Sequence, residues 1–362
     1  MFRRFFQGLD YPLLGLTLLL SALGVAMINS ATQGTRLQGL WTGQLVAIGA
    51  GLVLLVLAAA TDYRRLADRS TVILGVTLLL LVATLVLAPR IAGTRRWLSL
   101  GPVQFQPSEF AKIAAAIVIA KLFSEMKKDS LGLSDLLAPA AVTGALALTI
   151  AAAPDLGTAV SLLPMFFVGA FLAGLRYRSI LILVACLLGF GLVSWEFLLR
   201  DYQKARIYSF LDPDRDPRGS GYQKKQSQIA VGSGGLAGKG YGKGSQTQLG
   251  YLPARQTDFI FSVLAEEFGF VGVVATLGLY LALLWRCLDI ARLARDRLGA
   301  ILVACLTATL AFQVVYNVAM VAGLLPVKGL PLPLMSAGRS SVLATFISIG
   351  LILSVRMRRF AN

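Results

Sequence analysis

GYLPARQTDFIFSVLAEEFG, residues 250 to 269, changes character halfway along. A polar half runs to Asp258, and the apolar run Phe259-Ile260-Phe261 follows at once. A lone carboxylate at such a boundary belongs at the rim of a membrane, where a polar group carried on a lipid can be reached. The rest of the chain agrees: of 362 residues, 56% are hydrophobic and only 14% charged, the composition of an integral membrane protein. With no histidine in the sequence, Ser-His-Asp and Cys-His catalysis, His-ligated metals and haem are excluded, leaving Asp, Glu, Lys or Tyr as acid or base. Cys186, Cys287 and Cys305 lie in or beside apolar runs, too scattered for a disulfide framework or zinc site.

Outward from this stretch, the ruler of about 20 apolar residues per span finds helices at 11–28, 41–60, 72–88, 110–123, 136–153, 159–175, 180–199, 270–285, 300–324 and 341–355. The expected fold is all-α, a single polytopic membrane domain over 1–362 with about ten spans. Residues 1–10 are short, basic and aromatic, and no small-residue cleavage pattern follows, so the first span reads as retained. The formal charge of +16 is distributed by side. Arg3, Arg4, Arg64, Arg65, Arg69, Lys127, Lys128, Arg176, Arg178, Arg286, Arg292, Arg295, Arg297, Arg356, Arg358 and Arg359 fall in alternate gaps. The short gaps opposite hold only Arg36, Arg90, Arg95, Arg96 and Lys328, so both termini are expected in the cytoplasm. The large loop 200–258, between the seventh and eighth spans, then lies outside. Within it 202–211 and 222–231 suit short interfacial helices, and only the tract 232–244 reads as flexible.

Asp258 suits a helix N-cap as well as a positioned base, and the two roles are compatible, since the helix dipole would keep a capping carboxylate ionised. Glu109 and Lys112, spaced i, i+3 at the start of the fourth span, are expected to pair, and charge inside a span marks a functional interior or a structural brace. Lys121 reads as a snorkelling side chain. Asp155, after Pro154, is a stronger N-cap candidate than Asp258. Arg206, with Lys224, Lys225, Lys239 and Lys243 in the same loop, could form a cationic mouth for a phosphorylated substrate. GSGGLAGKGYGKGS lacks the order of a nucleotide P-loop, leaving a lid or backbone amides for a pyrophosphate. Glu266 and Glu267 continue the helix expected to begin at Asp258, with Glu266 near the same face; their structural alternative is pairing with a cation of another span. The segment 325–341, with three prolines, suits a broken or re-entrant stretch lining a cavity.

Together Ser108-Glu109-Phe110-Ala111-Lys112, Pro154-Asp155-Leu156-Gly157-Thr158-Ala159, Arg206 with Phe210-Leu211-Asp212-Pro213, residues 248–261 and Gly329-Leu330-Pro331-Leu332-Pro333 resemble the SEDS family (shape, elongation, division and sporulation). The resemblance, closest to its elongation branch, spans the first helix to the last. It implies a peptidoglycan glycosyltransferase that polymerises lipid II into glycan strands with release of undecaprenyl pyrophosphate. The family's ten-helix topology agrees with the separate count, and its essential acid falls on Asp258. Arg206, Lys112, Glu109, Asp155, Gln248, Thr257 and Lys239 are the residues expected to bind substrate, and a divalent cation, Mg or Mn, held by Asp258 or Asp155, is an alternative source of positive charge. The resemblance further implies a bacterial inner membrane, a nascent glycan strand as second substrate, and a class B penicillin-binding protein as partner. Gln256 stands where many members carry histidine, Lys328 replaces a threonine, and Ala337 and Arg339 replace a more usual tyrosine and glycine. A lipid II flippase and a noncatalytic cell-wall scaffold are the alternatives; against the flippase, the chain shows no inverted repeat and its richest motif is at the outer surface.

Overall fold

A chain this apolar must satisfy its backbone within itself wherever hydrocarbon surrounds it, and helices are the means. The computed structural model describes residues 8–89, 95–100, 103–126, 131–197, 201–217 and 219–359. Arg3, Arg4, Arg90, Lys127, Lys128 and the junction 198–200 of the seventh span with the long loop lie outside the described residues. The helices are α1 (Tyr11–Thr32), α2 (Leu40–Ala60), α3 (Tyr63–Asp68), α4 (Ser70–Leu87), α5 (Pro107–Glu125), α6 (Leu137–Ala152), α7 (Leu156–Val160), α8 (Leu162–Leu172), α9 (Tyr177–Phe197), α10 (Asp201–Leu211), α11 (Ser220–Ser233), α12 (Ser245–Gln248), α13 (Ile260–Arg292), α14 (Arg297–Val321) and α15 (Arg339–Met357). A small hairpin, β1 (Leu98–Leu100) against β2 (Val103–Phe105), precedes α5.

Every one of the ten expected spans falls on a helix, and the chain is a multi-pass membrane protein. Among the described residues eight helices are long and apolar enough to cross a bilayer. The other two expected spans are α5, which carries Glu109, Lys112, Lys121 and Glu125, and the shorter stretch Leu156–Leu172, interrupted at Ser161 between α7 and α8. At the centre α14 packs against α5, α8 and α13, while α15 runs along α2. Small residues allow that last approach: a Cβ added at Gly350 would lie 2.5 Å from the Leu55 carbonyl oxygen. α4 and α9 stay at the periphery with apolar side chains such as Leu79 and Leu192 exposed, as lipid-facing helices require.

Two expectations are corrected around α13. The helix begins at Ile260, and it breaks at Gly269 (φ 62°, ψ −160°), so the stretch before the break is a separate inner half-helix. Its residues Ile260 to Glu267 are buried, whereas Phe270 and Val271 beyond the break are exposed. A broken helix leaves backbone groups unpaired, and the tract 232–244, expected to be flexible, supplies the partners. Lys239 N and Gly240 N donate to the carbonyls of Glu266 and Glu267, while Phe270 N and Val271 N donate to those of Gly235 and Leu236. Glycine is required on both sides, because a Cβ at Gly238 would collide with the Glu267 carbonyl and one at Gly269 with the Gly238 amide. The tract is thus the plug of a helix break, and its Lys239 and Gly240 amides are committed to that role.

Candidate active site

Three consecutive carbonyls set the position of Asp258. Gln256 O accepts from Ala337 N at 2.9 Å, Thr257 O from Ser336 Oγ at 2.6 Å, and Asp258 O from Asn317 Nδ2 at 2.9 Å. Arg255 anchors the same turn by donating to Ala31 O at 2.7 Å and to Thr247 O. The donors come from α14 and from 325–338, a stretch without helix that packs Leu330, Leu332, Leu334 and Met335 into the core. The expected broken segment is therefore present, and it lines a cavity.

The carboxylate itself takes part in none of this. Phe259 occupies the N-cap position of α13, with no side-chain cap, so the capping role expected for Asp258 is not played. Among the described residues its carboxylate has no hydrogen bond or ion pair. It faces a cavity of about 690 Å³ whose wall includes Gln104, Gln106, Glu109, Thr257 and Arg339. Burial pushes the carboxyl up to about 6, and the positive charges of Arg96 and Arg206 offset only part of that shift. The helix dipole expected to keep it strongly ionised is outweighed by loss of water. The result is a carboxylate still ionised at neutral pH and more basic than an ordinary one.

A second cavity of about 120 Å³ shares Arg96 and Gly329 with the first and is lined by Asp155, Arg206 and Lys328. Arg96 donates to the carbonyls of Ala153 and Pro154 at the end of α6 and lies 3.7 Å from Asp155. Asp155 is buried and is the N-cap expected of it, accepting from Thr158 N at 3.4 Å. Its other oxygen accepts from Gln106 Nε2 at 3.2 Å and Ser108 Oγ at 3.1 Å. The side chains of Arg206 and Lys328 make no hydrogen bond or ion pair among the described residues. Burial pushes the Lys328 ammonium down, and the nearby Arg206 charge adds to the effect. Unpaired cations that repel one another around a cavity suit an anionic ligand.

The other sequence-derived candidates divide. Glu109 and Lys112 form the expected pair at 2.9 Å, with exposures of 2% and 7%. Glu109 lines the large cavity, whereas Lys112 lines a separate small polar pocket shared with Gln313. Lys121 approaches Glu125 at 3.9 Å. Gln248 donates to Ser30 O at 3.1 Å and lines neither cavity around Asp258. Lys239 is held at 2.7 Å by Glu266, which also accepts from Gln246 N, Thr247 N and Thr247 Oγ. Glu266 therefore organises the long loop 200–258 and does not join Asp258, and its cation comes from that loop and not from another span. Glu267 accepts from Ser30 Oγ. Lys224 caps Phe210 O and Lys225 pairs with Asp214, and Lys243 lines neither cavity, so Arg206 alone of the expected cationic mouth faces the site. Among the described residues no group of three Cys, Asp or Glu could hold a metal ion. Sequence reasoning missed Arg96 and Asn317 as site residues. For Arg96 the one signal was a pair of arginines in a short gap expected to lie outside, against the charge bias; for Asn317 there was none.

The geometry has close relatives. Residues 9–360 match the family profile FTSW_RODA_SPOVE, described as cell cycle protein. The peptidoglycan glycosyltransferase MrdB of Escherichia coli K12 is 38% identical over 327 residues, covering 89% of this chain and 86% of the relative. A solved structure titled as structural coordination of polymerization and crosslinking by a peptidoglycan synthase complex superposes with a TM-score of 0.85 at 36% identity, over 98% of this chain and 99% of that one. The crystal structure of the rod shape determining protein RodA of Thermus thermophilus does so with a TM-score of 0.73 at 33% identity, over 98% of each. From its first span to its last, the chain belongs to the FtsW/RodA/SpoVE family of cell cycle proteins, the SEDS family that its motifs resemble.

Proposed function

We propose that the protein is a peptidoglycan glycosyltransferase that polymerises lipid II for cell elongation, with Asp258 as general base. The observation that carries this reading is a partly desolvated carboxylate, unbonded among the described residues, in a large cavity that shares Arg96 and Gly329 with a small cationic one. The acceptor sugar lies in the large cavity with its 4-hydroxyl at Asp258. The hydroxyl oxygen forms a bond to the anomeric carbon of the lipid-linked donor as its proton passes to the carboxylate. The bond from that carbon to the diphosphate breaks, and the electron pair leaves with undecaprenyl pyrophosphate. Displacement at an α-linked diphosphate inverts the centre and gives a β-linked product, so no second carboxylate is needed as nucleophile. The leaving group demands charge stabilisation more than a proton, and Arg206, Lys328 and Arg96 are placed to supply it.

A divalent cation, Mg or Mn, would find Asp258 as its available protein ligand, since Asp155 is already committed to Arg96, Gln106, Ser108 and Thr158. Hard cations accept such sparse protein ligation when phosphate oxygens and water complete the shell. The protein resides in the bacterial inner membrane with both termini cytoplasmic, and works beside a class B penicillin-binding protein that cross-links the nascent strand. The test is to incubate purified protein with labelled lipid II, with and without that partner and a divalent cation, beside Asp258→Ala. Polymer from the parent and none from the variant is the expected result. No polymer from a folded parent with partner and cation present would overturn the polymerase reading.

A further inference from the structure

Asn317 is wholly buried four residues before the end of α14, and its amide makes two bonds of one kind. Nδ2 donates at 2.9 Å to the carbonyl of Asp258 and at 2.9 Å to that of Leu330. The flipped amide would set Oδ1 against both carbonyl oxygens, so one orientation is allowed. In that orientation Oδ1 is buried with no hydrogen-bond partner among the described residues. Such an unsatisfied acceptor is costly and uncommon in folded chains. An apolar side chain of similar size would avoid that cost but lose both donations.

What the amide provides is a clamp. One bond holds the peptide that bears Asp258, and the other holds Leu330, next to Gly329. A Cβ built on Gly329 would lie 3.5 Å from Asp258 Oδ2, so that backbone forms the wall against which the carboxylate rests. We propose that Asn317 is a positioning residue for Asp258, locking its peptide to the Gly329-Leu330 wall so that the carboxylate keeps its partly desolvated seat in the larger cavity. Asn317 lines neither cavity and touches no substrate. The inference rests on the polymerase reading.

The charged groups around the two cavities are Arg96, Glu109 and Arg339 in the larger and Arg96, Asp155, Arg206 and Lys328 in the smaller, and substitution of Asn317 alters none of them. In a polymerisation assay Asn317→Leu is expected to lower kcat by roughly 10²-fold, the cost of misplacing a reacting group by about 1 Å, with KM nearly unchanged. The acid limb of its kcat profile is expected to move below that of the parent as water reaches the carboxylate. Tyr280→Phe is the control: it removes the 2.5 Å bond to Pro333 O, which anchors the same segment away from Asp258, and is expected to lower thermal stability with the limb in place. An Asn317→Leu protein with the parent's limb, and activity reduced only in proportion to its folded fraction, would overturn the inference. If that variant is not recovered folded, Asn317→Asp takes its place. Its protonated carboxyl can donate one bond while the ionised form repels both carbonyls, so a new alkaline limb is expected, and a parent-like profile overturns the inference. A folded parent that makes no polymer overturns the polymerase reading instead.

Discussion

Replacing Asp258 with asparagine is expected to abolish polymerisation and at the same time to stabilise the fold. The carboxyl is raised from 3.8 to about 6 by burial, and among the described residues no hydrogen bond or ion pair compensates it. The folded state therefore binds its proton more tightly than the unfolded chain, and the ionised form is a liability to folding above pH 6. A difference of about 2 units corresponds to roughly 3 kcal/mol, reduced by the solvent that reaches a half-buried group, leaving about 1–2 kcal/mol. In a chain of this size that is a rise of a few degrees in the apparent melting midpoint. Linkage sets the sign: the gain is full above the folded value of about 6, roughly half of it remains one unit lower, and it disappears below the unfolded value. Thermal unfolding of parent and Asp258→Asn in one detergent, at neutral and at acid pH, measures this. An asparagine variant that melts at or below the parent at neutral pH, or by the same margin at both, would refute the claim that burial dominates at Asp258.

The parent's polymerisation rate is expected to fall tenfold per unit as pH drops below about 6, because the base must be ionised; a flat profile through that range would remove the base assignment. Arg206→Met is expected to lower kcat/KM by roughly 10- to 100-fold, the worth of one charge-assisted hydrogen bond of about 1.5–3 kcal/mol, and Lys328→Thr by less; unaltered kinetics in both would separate the small cavity from the diphosphate. Glu266→Ala removes the counter-charge of Lys239 and the acceptor of the Gln246 and Thr247 amides and is expected to destabilise by about 1–3 kcal/mol, read as a lowered melting midpoint and early proteolysis of the long loop. Gly350→Ala forces α15 away from Leu55 at an expected cost of about 1–3 kcal/mol, and a variant as stable as the parent would show that the two helices can slide apart freely.

How much of this was legible without coordinates depends on which residues are considered. The spans were, because lack of water in hydrocarbon leaves a run of some 20 apolar residues one way to satisfy its backbone. The Glu109–Lys112 pair and the Asp155 cap were too, since both are local relations within one or two helical turns. Asp258 could be singled out by its place at a polar-to-apolar boundary, and the motifs around it carried the family. The sequence by itself thus determined the number of spans, the catalytic candidate and its kinship. Only the tertiary structure decided that the glycine-rich tract plugs a helix break, that Glu266 and Lys239 hold the long loop together and stand apart from Asp258, and that Arg96, Arg206 and Asn317 converge on it. Hydropathy and helical spacing report neighbours along the chain, whereas these contacts join residues 27 to 162 positions apart, from Lys239 with Glu266 to Arg96 with Asp258. Their energies depend on how much water the assembled protein excludes.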